Sequence, residues 1–401
     1  MFLLQKATHT MLRAKPFVPP QWASALVPPR SGRCKFAALP TPVMPWACPE
    51  LAELGVRWSI KRDDFSGVEL SGNKARKLEF LMAEALAANA DCVVTIGGLQ
   101  SNHCRATAAA ARLVGLETHL VLLVSDRKVD EEVGLAGNLL ASRLMGAKLH
   151  LVAGSDYLRA GGDLKAMDRL NAAKADELRS QGRRPYVVPV GGTGGAFALD
   201  GQPVGTWGYL NAVQELLEQL RPRPAADADA DADADAADGV QEPDYIVVAA
   251  GSGGTAAGLA LGCRLSPLSA QLHAVNVQHK PDPYYDLVDE EAALLGFPRE
   301  LGAARELLTI HDGGGLGYGV ASREELEMIA RVGAASGVVL DHVYTGKALY
   351  HFVQHARAHP EAFRGKRVLF WHTGGLPGLQ TKSDELVGMV PPAARFVPHL
   401  G

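Results

Sequence analysis

The feature that most constrains the fold is a repeated alternation of short apolar segments with amphipathic segments of helical period. The apolar, strand-like runs are residues 92–96, 118–124, 148–152, 186–190, 245–249, 272–277 and 367–371. The helical periods lie at residues 74–90, 102–113, 134–145, 172–181, 206–220, 255–265, 323–335 and 346–358. Continuous apolar strands, each followed by a helix, predict an α/β fold whose parallel sheet is covered on both faces. Ligands of such sheets lie at the carboxyl ends of the strands, so polar residues there are the candidate site.

Composition limits the class of protein. A length of 401 residues is too great for one ordinary core and predicts two domains. The 40 basic and 44 acidic residues leave a net charge of −4, so we expect no nucleic-acid partner. None of the five cysteines forms a C-x-x-C pair, which predicts no metal site and favours a reducing compartment. The most apolar run, residues 245–262, is broken by glycines, so we expect no membrane span.

The N-terminal 49 residues contain no Asp or Glu. They do contain six basic residues: Lys6, Arg13, Lys15, Arg30, Arg33 and Lys35. A basic, acid-free N-terminus is typical of an organellar transit peptide, which we place at residues 1–18. The mitochondrion is the expected compartment, with the chloroplast and the cytoplasm as alternatives.

Residues 224–239 form an alternating Asp/Ala segment with six aspartates and no apolar period. Charge repulsion and the lack of apolar side chains predict a disordered insert, to which we assign no function. The insert lies between a helical pattern that ends at Leu220 and an apolar run that begins at Tyr245. It is therefore an expanded surface loop rather than a linker between domains.

The segment from Lys61 to Glu79 contains the first candidate for chemistry. A strand is predicted to end at Arg62, a glycine-containing loop follows, and Asn73 is an expected N-cap of the next helix. Lys74 then falls in the first helical turn, where the partial positive charge of the helix end favours a lowered lysine pKa. An imine-forming amine needs such a pKa. Taken alone, the segment is better explained by a surface lysine on an amphipathic helix.

Two further strand ends run into glycine turns and helices. After Ile96, the sequence G-G-L-Q-S-N-H opens a helix near Ser101, and the backbone amides of that helix start can bind a carboxylate. After Val248, the sequence A-A-G-S-G-G-T-A-A-G differs from both the dinucleotide fingerprint and the P-loop. Its amides and hydroxyls suit one phosphate group on the helix dipole. A fourth strand ends in W-H-T-G-G, from Trp371 to Gly375.

Together and in this order, the segments resemble the pyridoxal 5′-phosphate (PLP)-dependent family of D-cysteine desulfhydrase and 1-aminocyclopropane-1-carboxylate deaminase. The resemblance extends from Leu39 to Gly375 and rests on two long matches, S-G-N-K-A-R-K-L-E-F and G-G-L-Q-S-N-H. It implies fold type II of PLP enzymes, similar to the tryptophan synthase β subunit, with two open, twisted, mostly parallel sheets flanked by helices. The expected domains are a large PLP-binding domain of residues 19–76 and 200–401 and a small domain of residues 77–199. A homodimer is also implied.

The resemblance assigns roles residue by residue. For the cofactor it implies a Schiff base on Lys74, Asn102 near the phenolic oxygen, Thr345 near the pyridine nitrogen, and a phosphate loop of Gly251, Ser252, Gly253, Gly254 and Thr255. The implied catalytic residues are Lys74, Ser101, Tyr318 and Tyr344. The implied substrate contacts are Gln100, Ser101, Asn102, His103 and Thr373.

Two of these positions favour one reaction. The deaminases have glutamate at the position of Thr345 and leucine at that of Thr373, whereas the desulfhydrases have threonines, as here. A carboxylate beside the pyridine nitrogen would favour its protonated form and a stronger electron sink, which opening a cyclopropane needs more than expelling a thiolate does. One departure from the family is His342, where proline is expected; we interpret it as a tolerated loop substitution.

The expected reaction is β-elimination of D-cysteine to pyruvate, hydrogen sulfide and ammonia, with Lys74 removing the α-proton. Ser101, Asn102 and nearby amides would hold the substrate carboxylate. The alternatives are the cyclopropane deaminase, elimination from cysteate or D-serine, a non-catalytic PLP-binding homologue, and a cysteine-synthase-like transferase. The chirality of the substrate is taken from the resemblance and not from the residues.

Overall fold

The protein is described from a computed structural model, which covers residues 12–47, 49–129, 132–221, 240–278 and 282–392. The Asp/Ala insert at residues 224–239 and residues 1–11 of the expected transit peptide lie outside the described residues.

Within the described residues, ten strands form two sheets, as the predicted fold class requires. A six-stranded sheet has the order β1-β2-β10-β7-β8-β9, and a four-stranded sheet has the order β5-β4-β3-β6. All neighbouring strands are parallel except β1 and β2. The strands are β1 (Val43–Pro45), β2 (Arg57–Arg62), β3 (Cys92–Gly98), β4 (Glu117–Val124), β5 (Lys148–Ala153), β6 (Pro185–Val187), β7 (Tyr245–Ala250), β8 (Gln271–Asn276), β9 (Leu308–Asp312) and β10 (Arg367–His372).

Helices connect the strands and cover the sheets. They are α1 (Pro49–Ala52), α2 (Lys74–Ala87), α3 (Asn102–Leu113), α4 (Gly137–Leu144), α5 (Gly154–Arg159), α6 (Leu164–Ser180), α7 (Trp207–Gln219), α8 (Gly254–Leu265), α9 (Asp282–Leu295), α10 (Ala304–Leu307), α11 (Arg323–Ser336), α12 (Thr345–Ala358), α13 (Pro360–Phe363), α14 (Leu376–Leu379) and α15 (Ser383–Leu386). In the described part of the chain, none is long and apolar enough to cross a membrane.

The continuous apolar character of β7 follows from burial on both faces of the large sheet. Successive side chains of a strand point to opposite faces. Accordingly, Ile246 and Val248 belong to one buried cluster, and Val247 and Ala249 belong to another on the opposite face. Each fully buried aliphatic side chain contributes about 1.5–3 kcal/mol relative to an exposed one. Burial of both faces therefore explains why this strand has no polar alternation.

The two sheets also separate along the chain. Every strand of the four-stranded sheet lies within residues 77–199, and every strand of the six-stranded sheet lies in residues 19–76 or 200–401. This supports the proposed division into a small and a large domain. The four-stranded sheet is thus inserted in the chain between β2 and β7, two strands that both flank β10 in the six-stranded sheet.

A buried ionic network holds the start of α2 to the large domain. Arg76, which is 1% exposed, donates to both carboxylate oxygens of Asp63, at 2.7 and 3.0 Å, and to Glu215 at 2.8 Å. Trp371 of β10 also donates its indole N–H to Asp63, at 2.7 Å. Buried charges of this kind are tolerated only when they are paired and hydrogen-bonded. The network therefore fixes the helix end at which Lys74 lies.

Candidate active site

The carboxyl ends of three adjacent parallel strands bring the main site residues together. In register, His372 of β10 lies opposite Arg62 of β2, and β10 also pairs with β7. The residues that follow these strands therefore meet at one edge of the sheet. Lys74, Gly251 and Thr373 all line one cavity there.

Lys74 is the first residue of α2, and its amine lies in this cavity. Its Nζ donates to the backbone oxygen of Gly191, at 3.2 Å. Burial, together with the positive charge of Lys77 nearby, holds the pKa of Lys74 well below its usual value. The uncharged form of the amine, which is the form that attacks a carbonyl carbon, is thereby favoured.

The expected cap of α2 is made differently. Asn73 occupies the N-cap position, but its side chain makes no capping bond and its backbone is helical. Its amide instead donates to the hydroxyl of Thr255, at 3.0 Å. The prediction of an Asn73 side-chain cap was wrong because the nearby phosphate-loop candidate offers a tertiary partner, and Asn73 consequently joins the two loops of the site.

The glycine turn between β7 and α8 has the shape that a bound anion requires. Gly253 has a φ of 87°, a left-handed conformation that favours glycine. A Cβ atom at Gly251 would lie 2.7 Å from the ring of Tyr344, and one at Gly254 would lie 2.9 Å from Nζ of Lys77. Backbone amides at the start of α8 point out of the helix, as they do in phosphate sites. Ser252, Gly253 and Thr255 of this turn line the cavity.

Two residues that the sequence analysis missed, Lys77 and Thr193, lie beside this turn. Lys77 is buried, and its Nζ donates to the hydroxyl of Thr193 at 3.2 Å and to the oxygen of Gly191 at 3.3 Å. The hydroxyls of Thr193 and Ser252 lie 2.9 Å apart. Burial lowers the pKa of Lys77 to about 8. The position of Lys77, one turn after Lys74, was a signal from which the sequence analysis could have assigned it to the site. The sequence around Thr193 contained no such signal.

These features fit the cofactor that the sequence resemblance implies. The turn offers a cation, hydroxyls and helix-end amides for a phosphate group, all charge-assisted or dipole-favoured donors. The amine of Lys74 lies in the same cavity as Asn102, Tyr344 and Thr373. The cavity thus contains a phosphate cradle, formed by the turn of residues 251–255, and the amine of Lys74, which can form an imine near polar side chains. Within the described residues, no group of three or more His, Cys, Asp or Glu side chains is arranged to hold a metal ion.

The start of α3 uses its polar residues largely for its own structure. Ser101 is the N-cap, and its hydroxyl accepts from the amide of Cys104 at 3.1 Å. The side chain of Gln100 is bound to the next helix, because it accepts from the amide of Asn138 and donates to the oxygen of Ala136. His103 is buried, with Nε2 2.9 Å from the Thr95 hydroxyl. Of the predicted substrate contacts in this segment, Asn102 alone lines the main cavity.

The two tyrosines meet at their hydroxyl groups. The oxygens of Tyr318 and Tyr344 are 2.5 Å apart, and the ring of Tyr318 is 49% exposed. Burial and the neighbouring Tyr318 raise the pKa of Tyr344 well above its usual value, so its hydroxyl stays protonated. The sequence predicted that both belong to one site, and the structure brings them into direct contact.

The two threonines that favour one reaction lie in different surroundings. Thr373 lines the cavity. Thr345 is fully buried at the start of α12, where its hydroxyl donates to Asp341 and accepts from the Asp341 amide, at 2.7 and 2.8 Å. Thr345 is not among the residues that line the cavity. The neighbouring His342 is buried, its Nδ1 has no partner among the described residues, and burial lowers its pKa.

Comparisons with known proteins agree with this geometry. The model of the family described as pyridoxal-phosphate dependent enzyme matches residues 35–374. A protein of Arabidopsis thaliana named bifunctional D-cysteine desulfhydrase/1-aminocyclopropane-1-carboxylate deaminase, mitochondrial, is 44% identical over 94% of this chain and 87% of its own length. A solved structure described as an ACC deaminase homologue is 32% identical, with a TM-score of 0.71 over 89% of this chain and 96% of its own. A threonine deaminase isoform of Solanum lycopersicum, 14% identical over 96% of this chain and 99% of its own, shares the fold with a TM-score of 0.55.

Proposed function

The chain belongs to the family of pyridoxal-phosphate dependent enzymes, and we propose that within it the protein catalyses β-elimination of D-cysteine to pyruvate, hydrogen sulfide and ammonia. The single observation that carries the proposal is the buried Lys74 amine, with its lowered pKa, in a cavity that also contains a phosphate cradle and Thr373. The similarity to a relative whose name includes D-cysteine desulfhydrase supports the same activity.

The division of labour follows from the geometry. Lys77, Thr193 and the Gly251–Thr255 turn would hold the phosphate of the cofactor, and Lys74 would hold its carbonyl carbon. When bound, pyridoxal phosphate supplies a ring that accepts the electron pair left at the α-carbon of an amino acid. Once the substrate amine has displaced it, Lys74 Nζ is a free amine with a lowered pKa, positioned to accept the α-proton.

The remaining side chains orient the substrate and manage a second proton. The amides and the Ser101 hydroxyl at the start of α3 offer a place for the substrate carboxylate, as helix N-termini do for anions. The Tyr318 and Tyr344 hydroxyls share one short hydrogen bond beside the cavity, so either oxygen can pass a proton to the leaving sulfur. Gln100 and His103 support the position of α3 in this scheme rather than contact the substrate.

Deamination of 1-aminocyclopropane-1-carboxylate is the second candidate, since the names of both the relative and the structural neighbour include it. Thr345 and Thr373 argue against it as the main activity. Threonine has no carboxylate that would hold a proton on the pyridine nitrogen, and the Thr345 hydroxyl already donates to Asp341.

Product analysis tests the proposal. The purified, PLP-loaded protein is given D-cysteine, L-cysteine or 1-aminocyclopropane-1-carboxylate, and sulfide, pyruvate and 2-oxobutanoate are measured. We expect sulfide and pyruvate from D-cysteine and little product from the other two. Formation of 2-oxobutanoate without sulfide would replace the proposed reaction by the deaminase, and no product from any of the three would remove both.

We also propose import into mitochondria and assembly as a homodimer. The acid-free N-terminus and the mitochondrial relative support the first. The Lys15 backbone pairs with Arg33, and the ring of Phe17 lies 4.9 Å from that of Phe80, so residues 12–18 contact the folded body. We therefore place the end of the targeting segment before Leu12. N-terminal sequencing of the imported protein tests the first proposal, which a mature N-terminus after Val18 would contradict. The mass of the protein in solution tests the second, which a monomeric mass would contradict.

A further inference from the structure

A line of side-chain hydrogen bonds leads from α3 to α4 and back to the cavity. Arg105 donates through Nε to Oδ1 of Asn138, at 2.6 Å. Asn138 donates through Nδ2 to Oδ1 of Asn102, at 2.8 Å. Arg105 and Asn138 are each 1% exposed, whereas Asn102 lines the cavity. None of the roles assigned so far includes Arg105 or Asn138.

The chemistry of these groups fixes the orientation of each amide in turn. A guanidinium group has only donors, so Asn138 must turn its oxygen toward Arg105. The Asn138 NH2 group then faces Asn102 and the backbone oxygen of Gln100, both at 2.8 Å. Because that NH2 group has only donors as well, Asn102 must turn its oxygen toward Asn138. The NH2 group of Asn102 is therefore left for the cavity.

We propose that Arg105 and Asn138 are positioning residues that hold the Asn102 amide with its N–H donor toward the phenolic oxygen of the cofactor. The inference rests on the proposed role of Asn102 beside that oxygen. It goes beyond that role because it assigns the polarity of the contact and the two residues that set it. A phenolic oxygen that carries negative charge is stabilised by a donor and repelled by a carbonyl oxygen.

Arg105 also connects this line of hydrogen bonds to the loop before Lys74. Its two terminal nitrogens donate to the backbone oxygens of Glu69 and Ser71, the second at 2.8 Å. Burial lowers the pKa of Arg105 to about 10, so the group keeps its proton and all its donors at neutral pH. One buried cation thus holds both the Asn102 amide and the loop that leads into α2.

The decisive variant is Asn138→Asp. A carboxylate still accepts from Arg105, now as an ion pair, but it has no donor for Asn102. The Asn102 amide must then reverse and turn its oxygen toward the cavity. We expect the affinity of the cofactor-free protein for PLP to fall about tenfold to 100-fold, the effect of losing one charge-assisted hydrogen bond. In the loaded protein, the pH at which the visible absorbance changes should rise, because the phenolic oxygen has lost the donor that favours its anionic form.

Two further variants separate polarity from simple support of the fold. Asn102→Asp turns an oxygen toward the cavity without touching the Arg105–Asn138 bond, and it should shift the absorbance transition in the same direction. Ser142→Ala is the matched control, because the Ser142 hydroxyl donates to the backbone oxygen of Asn138 and does not contact the side-chain amide of Asn138. It should leave both the PLP affinity and the absorbance transition as in the wild type.

Circular dichroism and thermal unfolding show which variants fold. If Asn138→Asp does not fold, Asn138→Ala takes its place; it frees the Asn102 amide and should give a smaller shift in the same direction. A folded Asn138→Asp protein with the PLP affinity and absorbance transition of the wild type would overturn the proposal and leave Asn138 as a structural bridge. These measurements use no amino-acid substrate, so a failure of the proposed desulfhydrase activity would leave their outcome unchanged.

Discussion

Lys74 and Lys77, one turn apart at the start of α2, donate to the same acceptor, the backbone oxygen of Gly191, at 3.2 and 3.3 Å. Burial penalises the charge of both amines, and for Lys74 the positive charge of Lys77 adds to this effect. The pKa of Lys74 is accordingly held well below its usual value, and that of Lys77 is lowered to about 8. The arrangement suits two different tasks, since the uncharged form of the Lys74 amine is favoured while Lys77 keeps its charge up to about pH 8.

Replacing Lys74 by Ala should abolish the visible absorbance of the lysine-bound cofactor and reduce turnover of D-cysteine by about 10²–10⁴-fold or more. The reason is that the proton-accepting amine contributes about that factor, and covalent attachment is lost as well. Absorbance spectra and sulfide release measure the two effects. Lys165→Ala, at an exposed position near the start of α6, is the control and should match the wild type. Turnover that survives in the Lys74 variant would remove this residue from the mechanism.

Lys77 should make the binding of a phosphorylated ligand depend on pH. Its pKa is lowered to about 8 in the ligand-free protein, so the cation is present below that pH and lost above it. Affinity for pyridoxine 5′-phosphate, which has no aldehyde to react with Lys74, should be constant near pH 7 and fall above pH 8. The phosphate itself is already a dianion there, because its second pKa is about 6.

The variant Lys77→Met tests this assignment. It should bind pyridoxine 5′-phosphate about 10- to 100-fold more weakly at pH 7, and the loss of affinity above pH 8 should disappear. Titration calorimetry measures both quantities. Pyridoxine without its phosphate is the matched ligand, and the substitution should change its binding little. If the variant keeps the pH dependence of the wild type, another group is responsible.

Local signals in the sequence were sufficient where a segment contains its own caps and turns. The predicted bounds of the helix at residues 102–113 coincide with α3, because Ser101 provides the cap and two glycines end the preceding strand. The predicted strand 245–249 is one residue shorter than β7. This strand was recognisable because burial on both faces requires a continuous apolar run. The S-G-N-K motif likewise placed Lys74 correctly at the start of a helix.

The rest depended on contacts between distant segments. The edge strand β9 was missed because only one of its five residues is buried, so it has no continuous apolar run. The Asn73 side chain was assigned to its own helix, but its partner Thr255 is 182 positions away. Lys77 meets Thr193 through a contact that spans 116 positions. The predicted strand 186–190 shortened to β6 because the chain turns at Gly191, whose φ of 64° leaves the sheet.

The hydroxyl contact between Tyr318 and Tyr344 should make their substitutions non-additive. Each Phe variant removes the same 2.5 Å hydrogen bond, so the second substitution has little left to remove. We expect each single variant to lower kcat/KM for D-cysteine by about 100-fold and the double variant to cost about as much as the more damaging single one. Steady-state kinetics of the four proteins measure the coupling. Tyr350→Phe, further along α12, is the control, and fully additive losses would contradict a shared proton.

Asp63 should make the protein sensitive to acid. Burial alone would raise its pKa, but the charge and hydrogen bonds of Arg76 lower it to about 2 from the ordinary value of 3.8. A carboxylate with a lowered pKa contributes its stability above the unfolded-state value, and this stability is lost as the pH falls from about 4 toward 2. The shift corresponds to about 2 kcal/mol at neutral pH.

Asp63→Asn should therefore lower the free energy of unfolding at pH 7 by about 3–5 kcal/mol, because it also leaves the buried Arg76 with a single carboxylate partner, Glu215. Urea unfolding of both proteins from pH 7 to pH 3 measures the difference between their unfolding free energies. This difference should narrow at the acid end, because the wild type loses the stability that its ionised Asp63 contributes. Glu327→Gln, which removes an exposed ion pair with Arg323 on α11, should change the free energy of unfolding little and show no such narrowing. If the Asp63 variant lost the same unfolding free energy at pH 7 and at pH 3, Asp63 would stabilise the fold through its shape rather than its charge. The ionic network would then not be what holds Lys74 in place.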